Sequence, residues 1–254
     1  MLINVPRIWD AGIAIERRVD NAGKRSLFLI DPAASGVELQ RQVATTGEVQ
    51  AQLELSDAVA SERLGGAEAD PAALASSVQL ATVAYAAVQH GVLDRMVQMT
   101  AAYVTERRQF DRPIGSFQAV HQRAADAFIQ VQALELVLLE AIYRLEEGLD
   151  AEEAVAIAKY WASEPAYRAA YACNHLHGGI GIDIDYPLHR YYQWVKQIEL
   201  TLGAAPVQLR KLGHLMVEAY TPDAGGAAQG IAGVLFEEFS YCLLYTSDAA
   251  DDTP

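Results

Sequence analysis

Residues up to about position 60 alternate between apolar and polar. In the clearest stretch Val49, Ala51, Leu53 and Leu55 interleave with Glu48, Gln50, Gln52 and Glu54. A period of two with one polar face predicts half-buried antiparallel strands, here over Gly12 to Val19, Ser26 to Ile30, Val37 to Val43 and Val49 to Leu55. Asn21-Ala22-Gly23-Lys24 supplies a hairpin turn between the first two. A sheet of this size is marginal alone and has edges to cover.

From Asp70-Pro71 the period lengthens to that of a helix, with Asp70 as candidate N-cap and Pro71 in the first turn. The first helix runs to about Gln109 with a single interior Gly91, and Arg112-Pro113-Ile114-Gly115 ends it. The second carries Phe117, Val120, Ala124, Phe128, Val131, Leu134, Leu138, Ile142 and Leu145 on one face and closes at Gly148. A third spans Ala151 to His177 with a kink near Pro165, and a fourth spans Pro187 to about Met216 with a break near Gly203. Long helices with short connections pack as an up-down bundle. The expected fold is therefore mainly α: a truncated antiparallel β domain over 1–64, a four-helix up-down bundle over 70–216, and a tail over 217–254.

The 254 residues hold 33 Asp and Glu against 19 Lys and Arg, a net charge of −14, and no Lys or Arg follows Lys211. Neither nucleic acid nor an anionic membrane is expected as a partner, because both need basic surface. Cys173 and Cys242 form no disulfide framework or metal cluster. No apolar run suits a signal peptide or a bilayer span, so a soluble cytoplasmic protein is expected.

None of the six histidines lies three residues after a Glu, which removes the di-metal pairing that bundles often house, and no metal is expected. His175 and His177, two apart on a helix, point to different faces. Gly178-Gly179-Ile180-Gly181 follows a helix instead of a strand, unlike a dinucleotide loop. A helix C-cap explains one of these glycines, and close backbone approach to another group is the alternative for the rest. Arg107-Arg108 suits the negative end of a helix dipole without further function. Cys173 reads as a packing residue.

The segments Thr105-Glu106-Arg107-Arg108-Gln109-Phe110-Asp111-Arg112-Pro113-Ile114-Gly115-Ser116-Phe117-Gln118-Ala119-Val120 and His175-Leu176-His177-Gly178-Gly179-Ile180-Gly181 resemble the acyl-CoA dehydrogenase family, in its order and spacing. The resemblance spans about residues 3 to 216 and implies the later part of the family's middle β domain and its whole C-terminal bundle. The family's N-terminal helical domain and the start of its β domain are then missing, and Met1 is not the natural start. The implied chemistry is α,β-dehydrogenation of an acyl-CoA thioester: a carboxylate takes the α proton and the β hydrogen leaves as hydride to FAD. The family assembles as dimers of dimers, with a neighbouring bundle gripping the ADP part of FAD. By position, Arg107, Gln109, Phe110 and Gln118 would contact that cofactor, and Gly178 and Gly179 would admit its other end. His175 stands where the family usually has Gln.

The resemblance departs from the family at the base. Aligning through Tyr186-Pro187, Lys196 and Gly203 puts Leu202 where many members have Glu, and Ala81 occupies the alternative position used by a minority. Glu199, one turn before Leu202, is expected to be an ordinary exposed glutamate, so no catalytic residue is assigned. A flavin-gripping chain without a base resembles one subunit of the heteromeric acyl-CoA dehydrogenases of bacterial sterol side-chain breakdown. It implies an acyl-CoA substrate and assembly through the bundle with a Glu-bearing paralogous subunit. A structural subunit that binds no cofactor, and an active homomer using Glu199, are the alternatives.

Residues 242–254 carry a further expectation. Cys242 to Asp251 reverse-translates as TGT CTC TTA TAC ACA TCT GAC GCT GCC GAC, which resembles a transposase-based sequencing adapter read as coding sequence. An acidic disordered tail is the alternative.

Overall fold

The computed structural model describes residues 2–3, 14–19, 25–64 and 71–220. The turn at Asn21 to Lys24, the Asp70 cap, and the tail with Cys242 lie outside these residues.

Among the described residues the β region holds six strands: β1 (Leu2–Ile3), β2 (Ala14–Val19), β3 (Arg25–Ile30), β4 (Val37–Val43), β5 (Val49–Leu55) and β6 (Glu62–Leu64). They form two antiparallel sheets instead of one, ordered β1-β5-β4 and β2-β3-β6. The switch between them falls at Gly36, whose φ of 81° turns the chain out of one sheet and into the other. Ser56 then returns to Gly36, donating its N–H to the Gly36 carbonyl at 2.8 Å. The period of two holds in β5, where Ala51 and Leu53 are buried and Glu54 is exposed.

The helical region comprises α1 (Pro71–Glu106), α2 (Gln118–Glu146), α3 (Glu152–Trp161), α4 (Glu164–His177), α5 (Leu188–Leu200) and α6 (Ala205–Tyr220). The bundle follows the 3.6-residue repeat: α1 buries Val83, Ala86, Gln89, Leu93, Met96, Thr100 and Val104, each three or four residues after the last. In α2 the buried line is Ala127, Val131, Leu134, Leu138 and Ala141. The expected core positions Phe128 and Ile142 lie beside that line and are exposed.

The third predicted helix divides into α3 and α4 at Ala162-Ser163 instead of bending. Pro165 has no N–H and its ring would clash with the carbonyl four residues earlier, so the chain stops and restarts with Pro165 in the first turn of α4. The break is sealed by Gln89 of α1, fully buried, which donates through Nε2 to Ala162 O at 3.0 Å and Val195 O at 3.2 Å. The fourth predicted helix likewise divides into α5 and α6 around Thr201 to Ala204. Among the described residues no helix is long and apolar enough to cross a membrane.

Candidate cofactor edge and base position

α1 ends where Arg107 N–H meets Tyr103 O at 2.8 Å, and the chain then makes a small hairpin of β7 (Arg108–Gln109) and β8 (Arg112–Pro113). Gln109 pairs with Arg112, so Phe110 and Asp111 form a two-residue loop, with φ of 52° and 62°. Positive φ at both positions is the type I′ arrangement, which favours Asn-Gly. Here it carries an aromatic residue at a backbone cost of roughly 1–2 kcal/mol. The Phe110 ring is nonetheless 85% exposed.

Other side chains brace this tip. Arg108 Nη2 donates to Asp111 O at 2.7 Å, the Arg112 guanidinium lies 4.0 Å over the Phe117 ring, and Phe110 meets Phe117 edge-on at 6.1 Å. The Arg107 guanidinium has no partner among the described residues and is exposed, as are Gln109 and Gln118. Gln118 opens α2, whose N-cap residue Phe117 makes no side-chain cap. The first-turn amides at the positive end of the α2 dipole are therefore left without a side-chain cap.

The second predicted segment closes α4. His175 is exposed, and its Nδ1 accepts from Arg123 Nη1 at 2.6 Å. His177 points to the other face, as the two-residue spacing requires, and is only 3% exposed. Its Nδ1 donates to Cys173 O at 2.8 Å, and its ring stacks on Tyr103 at 4.4 Å with Tyr186 at 5.4 Å. Burial pushes its pKa down, with the Cys173 hydrogen bond opposing. Cys173 itself is buried in the core, and burial pushes its thiol up.

The glycines divide their work. Gly178 ends α4 with φ of 66°, and a Cβ on Gly178 or Gly179 would meet nothing within 4 Å. Gly181 is the close-approach residue, since a Cβ there would lie 2.8 Å from the Asn174 carbonyl oxygen. The neighbour that excludes a side chain at Gly181 is thus the chain's own α4.

The position aligned with the family's base lies in the turn between α5 and α6. Leu202 has φ of 58° and is 41% exposed, and Gly203 follows with φ of 96°. Two side chains absent from the sequence-based expectations hold this turn. Lys159 of α3, fully buried, donates to Ile198 O at 2.7 Å, Glu199 O at 3.1 Å and Ser163 Oγ at 3.2 Å, capping α5 with a cation. Gln208 of α6 donates to Leu202 O at 3.2 Å and Gly203 O at 3.0 Å. Lys159 was findable, because it lies within Ala-Val-Ala-Ile-Ala-Lys-Tyr-Trp-Ala on the line of Val155 and Ala162.

Glu199 is not an ordinary exposed glutamate. Its side chain is 15% exposed and pairs with Lys196 at 2.9 Å. A different carboxylate, Glu48 from the turn before β5, accepts from Gln197 Nε2. It also helps raise the Tyr85 hydroxyl pKa, after burial.

Residues 72–216 match the model of the acyl-CoA dehydrogenase C-terminal domain. The chain belongs to the acyl-CoA dehydrogenase family, by a match over more than half its length. It is 43% identical over 225 residues to acyl-CoA dehydrogenase FadE27 of Mycobacterium tuberculosis, covering 84% of this chain and 56% of that protein. Among solved structures it is similar to a variant of the Tcur3481-Tcur3483 steroid ACAD, with a TM-score of 0.79, 40% identity, and coverage of 85% and 58% of the two chains. It is also similar to the ChsE4-ChsE5 complex of Mycobacterium tuberculosis, with a TM-score of 0.76, 40% identity, and coverage of 84% and 57%. The chain thus spans somewhat over half the length of these relatives.

Proposed function

We propose that this chain is part of a cytoplasmic, flavin-dependent acyl-CoA dehydrogenase subunit that lacks its own base and works beside a Glu-bearing paralogue. The reading rests on the hairpin tip, where an aromatic ring is held in solvent at a backbone cost beside an unpartnered arginine. Backbone strain of this kind persists where a ligand uses it. The residues fit a dinucleotide flavin. Arg107 offers two parallel charge-assisted bonds to pyrophosphate, the uncapped start of α2 adds amide donors, and Phe110 offers a stacking face. Gly178 and Gly179 leave space for the cofactor's backbone contacts. His175, held by Arg123, would present Nε2–H, so it can donate where a glutamine amide would.

FAD, when bound, supplies the acceptor for the β hydrogen of an acyl-CoA thioester. This chain's residues bind and orient that group. Neither Leu202 nor Ala81 can accept the α proton, and Glu199 is engaged with Lys196, which favours a carboxylate from the partner. The relatives named as a steroid ACAD and as the ChsE4-ChsE5 complex support both a sterol-derived acyl group and a heteromer.

The test is co-expression of the full-length protein with its paralogue. The pair should copurify with FAD and reduce it on adding acyl-CoA, whereas the protein alone should not turn over. Arg107→Ala should weaken FAD binding about 10- to 100-fold, the worth of a charged hydrogen-bonded pair. Unchanged flavin content in Arg107→Ala would favour the cofactor-free structural subunit, and robust turnover by the homomer abolished in Glu199→Gln would favour the homomeric enzyme.

A further inference from the structure

The two segments of the cofactor edge are joined by one residue. Tyr103 lies one turn before Arg107 and accepts the Arg107 N–H on its carbonyl at 2.8 Å. Its hydroxyl donates to the carbonyl of His177, the residue before Gly178, at 3.3 Å, and its ring stacks on the His177 imidazole at 4.4 Å. Because the Cys173 carbonyl can only accept, His177 carries its proton on Nδ1 and Nε2 is an acceptor. That Nε2 is buried without a partner. The titratable groups around it are Tyr103 from α1, Cys173 from α4 and Tyr186 ahead of α5, and the Glu106 charge of α1 acts on Tyr186.

We propose that Tyr103 and His177 are positioning residues that lock the 107–113 hairpin to the Gly178-Gly179 edge, and that the lock opens when His177 takes a second proton. The inference rests on the FAD reading above. Protonation would place a donor on Nε2 at a buried point with no acceptor, which costs desolvation without return. Burial already disfavours the charged ring, so the lock holds at neutral pH and weakens as pH falls below the ordinary histidine value of about 6.5.

The experiment measures FAD dissociation constants of the full-length complex between pH 7.5 and 5.5. The wild type should lose affinity by several-fold, up to the roughly tenfold that one proton can supply across that range. His177→Phe keeps the stack and cannot be protonated, so its affinity should change less than about twofold. His214→Gln, on α6 and outside both cofactor-edge segments, should retain the wild-type pH dependence. Tyr103→Phe keeps the ring but loses the hydroxyl, and should weaken FAD about threefold to tenfold at every pH, the usual worth of one hydrogen bond.

Amide hydrogen exchange reads the lock without flavin: Tyr103→Phe should speed exchange in 107–113 and 178–182 together. A pH dependence that survives in His177→Phe, or exchange that rises in only one segment, overturns the proposal. Should His177→Phe not fold, the two Tyr103→Phe measurements decide. A complex that binds no FAD at any pH refutes the functional reading instead, and the exchange experiment still judges the lock.

Discussion

At the scale of single residues, Phe110 shows a side chain kept where it costs stability. Its φ of 52° suits Asn far better than Phe, and its exposed ring gains little from burial. Phe110→Asn should therefore raise stability by about 0.5–1 kcal/mol while weakening FAD binding, checked by chemical denaturation and flavin titration on the same protein. A variant that loses both would mean that the Phe110-Phe117 contact stabilises the hairpin. Phe110 was legible as a candidate from its motif, but its strain was not, because the turn type depends on β7 pairing with β8 at one register. Leu202 poses the same case: its identity was plain in the sequence, while its left-handed backbone and its bracing by Lys159 and Gln208 were not.

At the scale of elements, the ends of the helices carry most of what was unforeseen. Apolar periodicity located the helices, since each must bury one stripe. Their breaks depended on what waits to receive the freed backbone groups. Ala162 O is accepted into the fold because Gln89 reaches it, and the end of α5 because Lys159 does. Burial pushes the Lys159 ammonium down to about 8, with the Glu199 charge opposing. Between that value and the ordinary 10.5 the unfolded chain holds a proton that the folded chain has released. The sign follows: stability from this group rises as pH rises through that window and is lost as pH falls through about 8. Denaturation of wild type and Lys159→Met at several pH values should show the wild type gaining on the variant, by up to about 3 kcal/mol. A constant difference would mean that the amine stays charged in the fold, sustained by its three acceptors.

At the scale of the whole molecule, the surface of α2 opposite its buried line is apolar. Ile129, Leu136, Leu139 and Tyr143 are all more than half exposed on this 29-residue helix. An apolar helix face of this length is an expected subunit contact, in keeping with assembly through the bundle. Leu136→Glu should shift the full-length complex toward smaller species in analytical ultracentrifugation, with the helical content unchanged. An assembly that withstands the substitution would move the contact to another face.

The sequence by itself determined the mainly α class, the strand and helix periods, the two motif segments, and the identities of Leu202 and Ala81. These are local or position-by-position properties, carried by spacing and residue identity. Only the tertiary structure decided that the strands form two sheets, that Gly181 yields to Asn174, that Glu199 is engaged by Lys196, and that Tyr103 bonds to both Arg107 and His177. Each of those depends on which distant group fills a given space or satisfies a given polar atom. Tyr103 and His177 are 74 residues apart in the chain, and only the packing of α1 against α4 makes them neighbours.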